Sequence, residues 1–173
     1  MRRTLRPRPG HAAERLTGLL ALLSNGMLAG AFGYALVCIV PTFDAVPLSV
    51  HLAYRTALMD MNGIFMQGLM GISILASAGF ALALTDRGRR LAAGAAALLT
   101  FTSFLVTRLG NVPINGEIRS WSATNPPADW AERLQRWQAF HDVRTAVAIG
   151  AFIVLLLVTE SAGRRRRDHG NPR

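Results

Sequence analysis

At 173 residues the chain has room for one domain, and its 51% hydrophobic residues are gathered into long runs, as a membrane protein requires. A net charge of +9 on a soluble protein would point to nucleic acid, but here the basic residues sit at the ends of the apolar runs, which speaks against a nucleic-acid partner. The single cysteine, Cys38, excludes an internal disulfide and reads as a small buried hydrophobe.

The first apolar run covers about residues 16–40. Arg2, Arg3, Arg6, Arg8 and Arg15 precede it. A secretory signal core is only about 7–15 residues long, so the run reads as a retained anchor that spans the bilayer. Pro41 is expected to close it. A loop from Pro41 to Asp60 follows and holds His51, Tyr54, Arg55 and Asp60. His51 and Arg55 are four apart and share a face if that stretch is helical.

The second span is read at 57–84, with Asp60 and Asn62 near its start, and the third at 91–107. Arg87, Arg89 and Arg90 lie in the turn between them. Small residues, Gly26, Gly30 and Gly33 in the first span and Gly68, Gly71, Ser73 and Ala76 in the second, suit close helix approach and a homodimer face.

A second loop runs from Arg108 to Asp142, and the fourth span is read at 143–159. The end of that loop has the pattern of a helix. Asn125 is a good N-cap, Pro126 suits the first position, and Asp129 and Glu132 suit the first turns. Leu134, Trp137, His141, Arg144, Ala148 and Phe152 then recur every three or four residues. One helix from about Pro126 to Glu160 is expected, stopping at Gly163. It is longer than the bilayer is thick, so His141 and Arg144 enter near the membrane surface.

The fold class is therefore all-α: a four-helix transmembrane bundle at 16–160 between basic tails at 1–15 and 161–173. Thirteen arginines fall on one side and six on the other. With the acidic residues included, one side carries the whole +9 and the other is neutral. Arginine bias then places both termini in the cytoplasm of a cell-membrane protein.

No nucleotide loop, zinc spacing or serine nucleophile is present. Of the four histidines, His11 and His169 belong to the tails. Only His51 and His141 share a side, and two histidines do not define a metal site. Trp121 and Trp130 suit the headgroup level. Asn111 and Asn115, flanking Pro113, are loop turn-formers or amides aimed at a ligand. Ionisable residues at membrane depth usually mark function, and Asp60 is the expected counter-charge for Arg144.

The run NVPIN, then Trp121, then RWQAFHDVRT, with IVP ending the first span and Asn62 opening the second, resembles small four-helix membrane proteins grouped with the fungal anthrone oxygenases. The resemblance covers about Gly18 to Leu157. It implies an oxygenase that turns an apolar aromatic anthrone into an anthraquinone with O2 and no cofactor. Asn62, Asn111, Pro113, Asn115, Trp137, His141 and Arg144 match motif positions. On that resemblance His141 is the base, Arg144 with Asn111 or Asn115 holds the oxyanion, and Trp137 stacks on the ring. A non-catalytic membrane protein, binding a small apolar ligand or serving as a subunit of a larger complex, is the rival class.

Overall fold

The computed structural model describes the backbone of residues 9–168 and the side chains of residues 12–161. Helix α1 (Pro9–Tyr34) runs through a π turn, Ala35–Ile39, into α2 (Val40–Asp44). Helix α3 spans Leu48–Ala83. Helix α4 (Arg87–Val106) runs through a second π turn, Thr107–Asn111, into α5 (Val112–Ile118), and α6 spans Trp130–Asp168. Among the described residues there is no strand, only an isolated bridge between Ser122 and Asn125.

The stretches Ala12–Asp44, Leu48–Ala83, Arg87–Ile118 and Trp130–Ser161 are each long and apolar enough to cross a membrane. At about 1.5 Å per residue, even the shortest exceeds the roughly 30 Å of hydrocarbon. Large apolar side chains such as Leu23, Val37, Ile64, Leu75, Leu98 and Leu157 face outward, where lipid and not water must solvate them. The chain is a multi-pass integral membrane protein. Helices α1 and α4 each pack against α3 and α6, which closes a four-membered ring.

Apolar clusters and a polar layer fill the ring, with Leu28, Phe32, Leu69, Met70 and Ala148 forming one of those clusters. At one end Ala21, Phe80, Leu84, Ala93, Ala96 and Leu155 form an apolar cluster. Arg89 ties the same end together, bonding Glu14 at 2.9 Å and the Val158 carbonyl at 3.3 Å. Next comes a polar layer: the Asn25 amide donates to Ser77 Oγ, and Thr100 Oγ1 donates to Asn25 Oδ1. Such bonds hold helices together where no hydrophobic effect does. The far end holds Val40, Leu52, Ile114, Ile118 and Trp137.

All four expected spans are present, but their bounds differ. Pro41 does not end the first helix. The Val40 N–H reaches back five residues to the Ala35 carbonyl, and the π register absorbs the donor that Pro41 lacks. Pro113 follows the second π turn in the same way, where Val112 N–H bonds the Thr107 carbonyl. The expected loop from Pro41 to Asp60 shrinks to a few residues before Leu48, so His51 and Arg55 are helical. The first part of the expected second loop is helical to Ile118, which puts Asn111 and Asn115 on helix and not in turns.

Helix α6 begins at Trp130, four residues beyond the expected start. Asn125 is held in its bridge to Ser122, and Pro126 and Pro127 lie in the connection before a turn from Pro127 to Trp130. It also continues past Gly163. A glycine stops a helix by turning left-handed, and no described glycine has positive φ. The tail arginines Arg2, Arg3, Arg6, Arg8 and Arg173, with the His11 and His169 side chains, lie outside the described residues. Cys38 is exposed toward lipid, not buried.

The glycine stripe is mostly open. A Cβ at Gly30, Gly33, Gly68, Gly71 or Gly94 would meet nothing within 4 Å, while one at Gly26 would meet Phe152 at 3.1 Å. The tight position is Gly110, in the second π turn, where a Cβ would lie 2.5 Å from Phe140. Gly110→Ala should therefore cost about 1–3 kcal/mol by overpacking. The thermal midpoint in detergent checks it, and an unchanged midpoint would contradict the close approach.

Candidate functional site

Trp137, His141 and Arg144 lie one turn apart on α6, as their spacing requires. The Trp137 and His141 rings stack with centroids 5.2 Å apart and planes 19° from parallel. Arg144 Nε donates to His141 Nδ1 at 3.1 Å, and Arg144 Nη1 donates to Thr107 Oγ1 at 3.4 Å. A ring nitrogen that accepts a hydrogen bond carries no proton. The bond therefore assigns the neutral His141 proton to Nε2. His141 is fully buried, and that Nε2 has no hydrogen-bond partner among the described residues. From α1, Phe32 meets the His141 ring edge-on at 6.2 Å and lies 4.5 Å from the Arg144 guanidinium.

Asn111 and Asn115 clamp Trp137. Asn111 Nδ2 donates to the Trp137 carbonyl at 2.9 Å, and Trp137 Nε1 donates to Asn115 Oδ1 at 2.7 Å. The second π turn supplies both Thr107 and Asn111 to this contact, and single π turns recur at functional sites. Asn111 Oδ1 is buried without a hydrogen-bond partner among the described residues.

A second pair arrives from α3. Arg55 Nε donates to His51 Nε2 at 3.1 Å. His51 stacks on Phe43 of α2 at 4.8 Å. The Arg55 guanidinium lies 4.9 Å from the Phe43 centroid and 4.2 Å from that of Trp137. Both arginines thus rest on aromatic faces, Arg144 lying 5.6 Å from the Trp137 centroid.

Among the described residues, neither arginine has a carboxylate partner. The expected pairing of Asp60 with Arg144 does not occur, because Asp60 pairs with Arg119 at the exposed end of the bundle. Arg133 there takes Glu117 and Asp129. Asn62 is exposed on α3 and makes no hydrogen bond to the cluster among the described residues. Two surface clefts lie on the polar cap, lined by residues such as Glu117, Arg133, Trp121 and Pro127, and neither is lined by His141 or Arg144. Among the described residues no three His, Cys, Asp or Glu side chains are grouped to hold a metal ion.

A family model, described as anthrone oxygenase, matches residues 56–154, more than half of the chain. The chain belongs to the anthrone oxygenase family. No curated protein and no solved structure matches it. The anthrone oxygenase match contains Asn62, Asn111, Asn115, Trp137, His141 and Arg144, but stops short of Phe32, Phe43, His51 and Arg55. Phe32, Phe43, His51 and Arg55 therefore join the buried cluster from outside the matched segment. The signal that pointed to His51 and Arg55 was their four-residue spacing; nothing in the sequence pattern showed that they meet Trp137. Phe32, Phe43 and Thr107 gave no signal in an apolar run.

Proposed function

We propose that this protein oxygenates a flat apolar aromatic ketone bearing an acidic CH2 group, of the anthrone kind, bound beside Trp137. One observation carries the reading: Trp137, His141 and Arg144 form a buried contact chain inside the family-matched segment, with a polar ring atom of His141 left unpartnered.

When the CH2 of such a ketone loses a proton, charge develops on the carbonyl oxygen. That oxygen competes with His141 Nδ1 for the Arg144 guanidinium. Once Arg144 turns to it, Nδ1 regains a free lone pair and accepts the CH2 proton. Base and oxyanion donor are then coupled through one exchange of hydrogen bonds. His141 suits the base role because its ordinary pKa lies near neutrality. The carbanion gives an electron to O2, and the two radicals combine into a C–O–O⁻ group, which takes the proton from His141. Loss of the remaining C–H proton with hydroxide yields a ketone and water. One CH2 and one O2 thus become one C=O and one H2O, with all four electrons drawn from the substrate.

The test uses the whole protein in phospholipid nanodiscs with 1,8-dihydroxyanthrone, followed by an oxygen electrode and by quinone absorbance. Quinone should form faster than in protein-free discs, with one O2 consumed per quinone. A rate equal to that blank would remove the enzymatic reading and leave the ligand-binding or subunit role.

The arginine asymmetry supports an orientation for this site: both termini in the cytoplasm and the Trp137 end at the other face. A reporter active only in the cytoplasm should work at the C-terminus and be silent after Ser122; the reverse pattern would overturn the orientation.

A further inference from the structure

Two guanidiniums share the Trp137 ring, and among the described residues neither forms an ion pair; Asp44, at the end of α2, acts on Arg55 and His51 through space without a hydrogen bond, so the two cations outnumber the nearby carboxylate. Arg55 is 4% exposed; among the described residues its Nη1 has no hydrogen-bond partner and its Nε bonds a histidine nitrogen. That bond keeps His51 Nε2 deprotonated, so the histidine is neutral and adds no charge of either sign. Arg144 is likewise held by neutral acceptors, His141 Nδ1 and Thr107 Oγ1. His141 adds a further unpartnered donor, Nε2–H, on the ring stacked against the same indole. Buried charge at membrane depth is costly unless it is paired, and aromatic faces offset only part of that cost. The unpartnered donors around Trp137 are Arg55 Nη1 and His141 Nε2–H, beside one orphaned acceptor, Asn111 Oδ1, and the surrounding surfaces are Phe32, Phe43 and the indole itself; the charge on the donor side is what favours an anion.

We infer that this cluster is an anion site that takes a planar aromatic anion, a phenolate or enolate, and that Arg55 is a binding residue for it alongside Arg144. The rings favour a flat ligand over a lipid phosphate, and the two cations favour its ionised form. The inference deepens the oxygenase reading and rests on it only for the choice of ring system. It also assigns a binding role to Arg55, which lies just before the family-matched segment.

The probe is 2-hydroxyanthraquinone, which has no CH2 to oxygenate and whose phenolate absorbs at longer wavelength than the phenol. The wild-type protein in phosphatidylcholine nanodiscs is titrated with it across the pH range of the phenol. The bound probe should ionise at least one pH unit below the free probe, a tenfold or greater preference for the phenolate. Arg55→Gln should remove most of that preference, and Arg55→Lys should retain it. Bound ionisation at or above the free value in the wild type overturns the inference, and that measurement stands even if Arg55→Gln does not insert. An unchanged preference in a folded Arg55→Gln variant overturns the role of Arg55. Displacement of the probe by an equal amount of phosphatidylglycerol would assign the site to lipid phosphate and overturn the aromatic ligand. Phenolate preference without anthrone oxidation leaves this inference standing while the oxygenase reading falls; oxidation without the preference does the reverse.

Discussion

Replacing His141 with glutamine should lower anthrone turnover by at least about a hundredfold while the protein still inserts and folds, since general-base catalysis contributes roughly 10²–10⁴. Glutamine keeps a polar side chain of similar length and a donor for a buried site, but it cannot take a proton. The substitution therefore separates chemistry from packing better than alanine, which would leave a void beside Trp137 and Phe32. Arg144→Gln should act in the same direction, because it removes both the oxyanion donor and the bond exchange that frees His141 Nδ1. In a purely structural polar knot, both variants would lose folded yield together, with activity falling only in proportion. Folded His141→Gln protein with more than a tenth of wild-type turnover would end the base assignment.

Ala139→Pro should be the most damaging single change to the fold. Ala139 is exposed and lies well inside α6, between Trp137 and His141. Proline there removes one backbone hydrogen bond and clashes with the carbonyl four residues back, at a cost of about 3 kcal/mol or more. No π turn lies in that stretch of α6 to absorb it, unlike Pro41 and Pro113. The bend would also part Trp137 from His141 and so remove activity with stability. Ala139→Leu, which keeps the helix and faces outward, serves as the control. An unchanged melting temperature in the proline variant would mean that α6 is not regular helix before Val143.

Four spans were legible from the length of the apolar runs, and the His141 stripe from its three- and four-residue spacing. These signals survive because they need only helix geometry and the thickness of a bilayer. The helix ends were less legible. Pro41 read as a breaker under a rule for straight α-helices, and Pro113 was placed in a loop beyond the third span; both are accommodated by a π turn that no spacing pattern announces. The candidate site was half legible. His141, Arg144, Trp137, Asn111 and Asn115 do come together, but through Asn111 and Asn115 as clamps on Trp137. Arg55 was assigned to a loop and Asp60 to Arg144. Which arginine meets which partner depends on how neighbouring rods pack, and a single sequence carries little of that.

The most direct test of the account is where the ligand sits. An anthraquinone carrying a small diazirine, photolysed with the folded protein in nanodiscs and mapped by mass spectrometry, reports this without any assumption about turnover. Labelling is expected on α6 around Trp137–Arg144 and on α3 near Arg55, suppressed by excess unlabelled anthraquinone. Labelling confined to lipid-facing side chains such as Ile64 and Leu75, or to the polar cap near Trp121, would contradict it.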